Sequence, residues 1–310
     1  MKQIRIATRG SRLAMAQSNY IKTRLEQIAP GVEIVLVTIS TKGDRDTSDF
    51  LYKSESVGFF TSEVEAALFD GRADVAVHSF KDLPTAHTDG LVIAAVPERE
   101  STADVLVARE NIRAIEDLPA GATVGTSSLR RIGQLKHLRP DLRCVPLRGN
   151  VETRVGKVES GQIDAAVLAQ AGLNRLGLSH IISAVLDSRA FPTAPAQGAL
   201  AVEVRADDTV SRELVGRLDD PPTRIAAETE RRVLAAMHGG CSIPLGIWSR
   251  IEDDTITLEA IISDIDGSQR IQRGGSVALQ DAAGLAQDLA EQLLSAGGDR
   301  ILERMRNEKK

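Results

Sequence analysis

The sequence predicts an α/β protein in which two related lobes with mostly parallel sheets flank a cleft, followed by a small α+β C-terminal domain. Three observations predict this. Strand-like and helix-like segments alternate through the first two thirds of the chain, a pattern that favours parallel sheets covered on both faces. A series of short motifs occurs twice in the same order. After "LDDPPTR" (218–224) the alternation gives way to one helix, three strands and two further helices.

The repeat sets out the two lobes. Strand "IRIAT" leads to Ser11, Leu13 and Gln17 at a helix start, and "ATVGTSSLRRIGQL" repeats the plan with Thr126, Ser128, Leu129 and Gln134. An apolar strand ending in a basic residue and glycine follows each, "EIVLVTISTKGD" and "LRCVPLRGN". A shared G-x-x-D-x-A-V closes the series as "GRADVAV" (71–77) and "GQIDAAV" (161–167). The first lobe is longer between its glycine and aspartate, and the extra residues fall in "RDTSDFLYKSESVGFF", a candidate lid at 44–60.

Helical spacing puts Leu13, Ala16, Tyr20, Ile21, Leu25 and Ile28 on one apolar face, and Leu129, Ile132, Leu135 and Leu138 on another. Ser62 and Glu65 have the spacing of a capping box. "FPTAPAQGALAVEV" (191–204) reads as a crossover and a strand returning to lobe one. Lobe one is therefore placed at 1–98 plus about 198–217, lobe two at 103–192, and the C-terminal domain at 221–310. The last has a helix near 224–237, strands near 245–250, 255–262 and 269–274, and helices near 281–295 and 298–306. Asp266 and Gly267 turn two of those strands into a hairpin.

Composition narrows the function. With 310 residues, net charge −5 and 3% aromatics, the chain is not expected to bind nucleic acid or anionic membranes. No apolar stretch reads as a signal peptide or membrane span, so the cytoplasm is the expected compartment. Of 38 basic residues 29 are arginine, the side chain best shaped for carboxylates and phosphates. No metal-ligand spacing and no nucleotide-binding glycine fingerprint occurs.

Candidate chemistry gathers at cleft-facing turns. "TSSLRR" brings Thr126 and Ser128 to a helix N-terminus, where free N–H groups favour an anion. Arg130 and Arg131 oppose the dipole there, so they read either as surface cations paired with nearby acids or as holders of an anionic ligand. Arg148 and Arg154 flank the next helix start, capped by Asn150, and Arg9 and Ser11 hold the matching place in lobe one. "VHSFKDLP" carries His78, Ser79, Lys81 and Asp82 away from a strand end. Lys81 and Asp82 read either as a solvated pair or as a cleft carboxylate that stabilises a cation and relays protons beside its lysine; His78 reads as structural. Of the two cysteines, Cys144 lies in a strand-like run. Cys241, in "HGGCSIPLG", is either a small apolar turn residue or a thiolate tether facing the arginines.

Taken in order, "IATRGSRLA", "ADVAVHSFKDLP", "VGTSSLRR", "LRGNVETR", "LAQAGLNRLGL", "APAQGALAVE" and "GGCSIPLG" make the chain similar to the porphobilinogen deaminase (hydroxymethylbilane synthase) family along nearly its whole length. The resemblance implies two lobes like those of periplasmic binding proteins and a third domain whose cysteine, here Cys241, bears a dipyrromethane cofactor through a thioether. It implies a monomeric transferase of tetrapyrrole biosynthesis, which serves haem, chlorophyll-type or corrinoid pathways. The family condenses four porphobilinogen molecules on that cofactor, with loss of ammonia, and releases hydroxymethylbilane by hydrolysis. By resemblance Asp82 is catalytic. Ser79, Lys81, Thr126, Ser128, Arg130 and Arg131 hold the cofactor. Arg9, Ser11, Gln17, Arg148, Arg154, Arg175 and Gln197 contact substrate or the growing chain, and Lys53 and Phe60 belong to the lid. The chain departs from the family's G-G-K-G-[LF]-F run, where Ser54, Glu55, Ser56 and Val57 replace its glycines and lysine. A non-catalytic two-lobed anion-binding protein is the alternative; it accounts for the repeat and the arginines but gives Cys241 no role.

Overall fold

A computed structural model describes residues 3–41, 61–109, 112–237 and 243–307. Lobe one opens with β1 (Gln3–Arg9), α1 (Arg12–Ile28), β2 (Glu33–Ile39), α2 (Ser62–Phe69), β3 (Val75–Ser79) and β4 (Leu91–Ala95). Lobe two contains β5 (Asp104–Ala108), β6 (Thr123–Gly125), α3 (Leu129–Leu138), β7 (Arg143–Val145), α4 (Val151–Glu159), β8 (Ala165–Ala169), α5 (Gln170–Arg175) and β9 (Ala184–Val185). The chain then gives β10 (Leu200–Arg205) and α6 (Thr209–Gly216). The C-terminal domain contains α7 (Pro221–Ala236), β11 (Leu245–Glu252), β12 (Thr255–Ser263), β13 (Arg270–Ala278), α8 (Ala282–Leu293) and α9 (Asp299–Asn307).

The two lobe sheets have one plan. Their strand orders are β2-β1-β3-β10-β4 and β7-β6-β8-β5-β9. In each, four strands run one way, and the strand that enters from the other lobe, β10 or β5, runs against them. The repeated aspartate plays the same local part in both. Asp74 Oδ2 accepts the Arg5 N–H at 2.9 Å, and Asp164 Oδ2 accepts the Thr123 N–H at 2.8 Å. Their own N–H groups return to the carbonyls of Arg5 and Thr123. Gly71 and Gly161, three residues earlier, both have φ above +70°, so glycine is the residue the turn before each strand tolerates best.

Apolar cores cover both faces of each lobe sheet. A separate core fills the antiparallel β11-β12-β13 sheet and its helices, and the Asp266–Gly267 turn joins β12 to β13. A smaller cluster of Phe80, Leu83, Val96, Ala196, Ala199, Ala201 and Ala227 joins lobe one, the interlobe crossovers and α7.

Three sequence expectations are corrected. Tyr20 and Leu138 are exposed at 38% and 46% rather than core-facing. On α1 the buried face is Gln17, Ser18, Ile21 and Leu25, and Tyr20 lies on the side whose hydroxyl is felt by Arg175 of lobe two. The Ser62–Glu65 box does not form: Thr61 is the N-cap, Ser62 already lies in the helix, and the Glu65 carboxylate accepts the Thr88 hydroxyl at 2.8 Å.

Candidate active site

The candidate site is assembled at the C-terminal end of β3. The strand ends at Ser79, whose hydroxyl accepts the Gln17 Nε2–H of α1 at 2.8 Å. A single 3₁₀ turn, Phe80–Asp82, follows. Phe80 is buried and Asp82 is exposed, so this turn has an apolar root and a carboxylate at its mouth. Lys81 reaches across to donate from Nζ to Gln197 Oε1 at 3.2 Å. Its stem keeps some exposure while its ammonium sits deep among protein atoms, and burial, opposed by Asp82, brings its pKa down to about 8.

Beneath this turn lies a carboxylate that sequence reading missed. Asp104, at the start of β5, is fully buried and accepts Arg130 Nη1 at 2.8 Å, Arg131 Nη2 at 2.6 Å and Gln197 Nε2 at 2.9 Å. Burial alone would raise the Asp104 carboxyl; the charges and hydrogen bonds of Arg130 and Arg131 outweigh it and hold it below the usual carboxylate range. Arg130 is shifted down by its own burial against that attraction. Arg130 Nη1 also bonds the Pro192 carbonyl and Arg131 Nη1 the Val167 carbonyl, so both guanidinium planes are fixed. The two arginines that oppose the dipole of α3 thus have an internal counterion. One carboxylate serves both.

Further cations surround this group. Arg154, capped into α4 behind Asn150, is lowered to about 10 by burial and by Arg131, with Asp82 opposing and Arg148 adding. Those mutual influences put Asp82, Arg131, Arg148 and Arg154 in one neighbourhood. Arg131 Nε and Arg148 Nη2 are buried with no hydrogen-bond partner among the described residues. Ser128 caps α3 by accepting the Arg131 N–H, and the Thr126 hydroxyl accepts the Ser128 N–H at 3.2 Å. Ser11 caps α1 in the matching position, with Arg9 at the end of β1.

Arg175 stands apart from the other arginines. Its Nη2 donates to the Gly198 carbonyl at 2.7 Å, and burial lowers its pKa against Glu100 and Tyr20. It lies at the crossover between lobes rather than in the group around Asp82. Gln197, which is fully buried, binds Lys81, Asp104 and the Thr102 carbonyl at once. Cys241, Lys53, Phe60 and the 44–60 insertion lie outside the described residues. Cys144 is half-buried against the lobe-two core, and burial raises its thiol pKa. No group of three metal-ligating side chains occurs among the described residues, and no helix among them is long and apolar enough to cross a membrane.

Asp104 has one local signal, an acid opening an otherwise apolar strand in "ADVLVA". Its significance depends on β5 lying beside β8, which brings Asp104 against Arg130 and Arg131 of α3.

Comparison with known proteins agrees along the whole chain. The family described as "Porphobilinogen deaminase, dipyromethane cofactor binding domain" matches residues 4–213, and "Porphobilinogen deaminase, C-terminal domain" matches 224–295. A porphobilinogen deaminase of Maridesulfovibrio salexigens is 45% identical over 98% of this chain and 99% of its own length. One from Corynebacterium diphtheriae is 43% identical over 96% and 99%. Among solved structures, the methionine binding protein MetQ matches with a TM-score of 0.45 at 14% identity, covering 74% of this chain and 94% of that one. With matched families spanning both lobes and the C-terminal domain, the chain belongs to the porphobilinogen deaminase family.

Proposed function

We propose that the chain is a hydroxymethylbilane-forming transferase: it condenses four porphobilinogen molecules head to tail, with loss of ammonia, on a dipyrromethane bound to Cys241, and releases the tetrapyrrole by hydrolysis. The reading rests on family membership and on one observation above the rest. Lys81, Arg130 and Arg131 are gathered around Asp104 with a surplus of positive charge, and two guanidinium nitrogens, Arg131 Nε and Arg148 Nη2, are buried without a protein acceptor among the described residues. Leaving such donors unsatisfied is costly, so the site is built for an anion.

A dipyrromethane, with acetate and propionate side chains on each ring, fits that donor set. Lys81, Thr126, Ser128, Arg130 and Arg131 would hold its carboxylates, with Ser79 at the strand end beside them. When bound, the group supplies the pyrrole carbon that accepts each new ring. Arg148 and Arg154 hold the carboxylates of incoming porphobilinogen, assisted by Arg9, Ser11 and Gln17; Arg175 and Gln197 act nearer the crossovers. Asp82, exposed at the mouth, accepts pyrrole N–H donors. It also stabilises the positive charge that develops on porphobilinogen as its aminomethyl C–N bond breaks and ammonia leaves with the bonding pair. A carboxylate is suited to this because its charge is already in place before the cation forms.

The same reading makes the chain a cytoplasmic monomer with a small-molecule substrate and no nucleic-acid or membrane partner. It places the domain boundaries near 98, 103, 192 and 221, and gives the 44–60 insertion, with Lys53 and Phe60, to a lid. The intact mass of the purified protein tests the reading. The expected result is a two-pyrrole adduct on the Cys241 peptide and turnover of porphobilinogen with release of ammonia. An unmodified, folded chain that consumes no porphobilinogen would overturn it in favour of a non-catalytic anion-binding protein.

A further inference from the structure

We infer that Arg231, on helix α7 of the C-terminal domain, is a positioning residue for the Asp82 carboxylate; the inference rests on the reading of Asp82 as the catalytic group. The turn that carries Asp82 is short and has no capping side chain. It is pinned on its strand side by the Phe80 N–H, which donates to the Ala199 carbonyl at 3.0 Å. On its other side Arg231 holds it. Arg231 Nη1 donates to the carbonyls of Phe80 and Leu83, both at 2.9 Å, and Nη2 donates to that of Pro84 at 2.5 Å. The guanidinium carbon lies 4.5 Å from the centroid of the Phe80 ring. Both residues are buried, at 7% and 1% exposure.

The three carbonyls bracket Lys81 and Asp82 in sequence. Fixing the peptide groups on both sides leaves the backbone of residues 81 and 82 little freedom, and so sets the direction in which Asp82 leaves the turn. Asp82 is exposed and has no packing of its own to do this. A guanidinium fork is suited to such bracing because it is planar, permanently charged and able to serve several acceptors in fixed geometry, which an ammonium cannot do.

The helix turn that bears Arg231 is itself anchored. Its neighbour Glu230 accepts both terminal nitrogens of Arg99 at 2.8 Å and the Ala196 N–H at 2.7 Å. After α7 ends at Ala236 the chain runs on to the segment that contains Cys241. One helix therefore braces the aspartate and leads to the cysteine, which links the position of the reacting carboxylate to the domain that carries the cofactor.

The test is a double-mutant cycle between Arg231→Lys and Asp82→Glu, read in single-turnover ammonia release. Misplacing a catalytic group by about 1 Å costs on the order of 100-fold. The expected result is that Arg231→Lys lowers kcat by roughly 10- to 100-fold with KM changed less than about two-fold. In the Asp82→Glu background, where the carboxylate is already displaced, the same change costs less than about two-fold. Cofactor content by intact mass stays unchanged. Amide exchange of residues 80–84 rises in Arg231→Gln and not in Arg224→Met, which breaks a different tie between α7 and lobe one.

An equal loss from Arg231→Lys in both backgrounds, or a raised KM at unchanged kcat, overturns the inference. If neither Arg231 variant folds, Phe80→Leu removes the ring beneath the guanidinium and keeps every hydrogen bond. It should cost a few-fold in kcat, and again almost nothing beside Asp82→Glu; equal costs in the two backgrounds overturn the inference here too. An Asp82→Glu enzyme as fast as the parent would instead remove the reading of Asp82, and the inference with it.

Discussion

Asp104 shows how a buried carboxylate can prepare a site for a different anion. Two guanidiniums and the Gln197 amide converge on it in a place with no exposure. Removing one partner of a buried ion pair leaves uncompensated charge and costs about 3–5 kcal/mol. Asp104→Asn is therefore expected to lower the thermal midpoint markedly in cofactor-free protein and less in loaded protein, where ligand carboxylates face the same arginines. Equal midpoints for variant and parent, in the cofactor-free state, would disprove the role. The pH sign follows from the depressed carboxyl. Its stabilisation is complete above the ordinary value of 3.8 and is lost as pH falls below that toward the folded-state value, so the variant should show a shallower loss of stability in acid.

Lys81 has the opposite sign. Its folded pKa of about 8 lies below the ordinary 10.5, so the charged form costs the fold stability below pH 8, and that cost is relieved as pH rises toward 10.5. What stability gains there, binding loses, because a neutral amine no longer holds a carboxylate. The rate at which cofactor-free protein gains its adduct from porphobilinogen should carry a component that falls above about pH 8. In Lys81→Arg that fall should move to higher pH, since a guanidinium keeps its proton. Comparing the two profiles isolates this group from the titration of the attacking thiol. Superimposable profiles would exclude Lys81 from carboxylate binding.

At the scale of elements, the crossovers between lobes show how closely backbones are made to pass. Gly198 has φ +89°, and a Cβ there would collide with the Ser101 carbonyl oxygen and lie 2.6 Å from that of Glu100. Both obstacles are backbone and cannot swing aside. Gly198→Ala combines left-handed strain with a clash, each worth about 1–3 kcal/mol, and should lower the denaturant midpoint by an amount equivalent to more than about 2 kcal/mol. An unchanged midpoint would mean that the crossovers can separate at little cost.

The repeat was legible in sequence because its signals are local. Ser11, Ser128 and Asn150 cap helices within three residues of themselves, and the G-x-x-D motif fixes its turn and its neighbouring strand in both lobes. Arg130 and Arg131 were legible as candidates for the same reason, as cations set against a helix dipole. The Asp104 counterion and the Arg231 brace were not. Each depends on elements distant in sequence: β5 beside β8, and α7 packed on the β3 turn 148 residues away. The capping box failed because one residue of slippage gave Thr61 the N-cap position and freed Glu65 for Thr88.

In the whole molecule, three bodies meet at one carboxylate. Glu230 of α7 accepts two hydrogen bonds from Arg99 on the first crossover, one from the Ala196 N–H on the second, and one from the Ser249 hydroxyl on β11. Arg99 in turn donates its Nε–H to the Gln197 carbonyl at 2.8 Å, one residue from the Ala196 that adopts φ +59°. A left-handed alanine persists only where its surroundings hold it, and here Glu230 holds its N–H while the Ala199 N–H holds its carbonyl. The pair is nearly dry, with side-chain exposures of 10% and 2%. Glu230→Gln keeps the shape and removes the charge, leaving Arg99 buried opposite an amide, at an expected cost of about 3–5 kcal/mol. Because the bonds from Arg99 and Ala196 lie between bodies, their loss should appear as reduced coupling as well as reduced stability. Limited proteolysis should cut the crossover segments 96–103 and 187–199 faster in the variant, while the cores of the three sheets keep their hydrogen-exchange protection. Loss of protection confined to the β11-β12-β13 sheet, with the crossovers cut no faster than in the parent, would show that Glu230 stabilises the C-terminal domain alone and that the lobes are joined by other means.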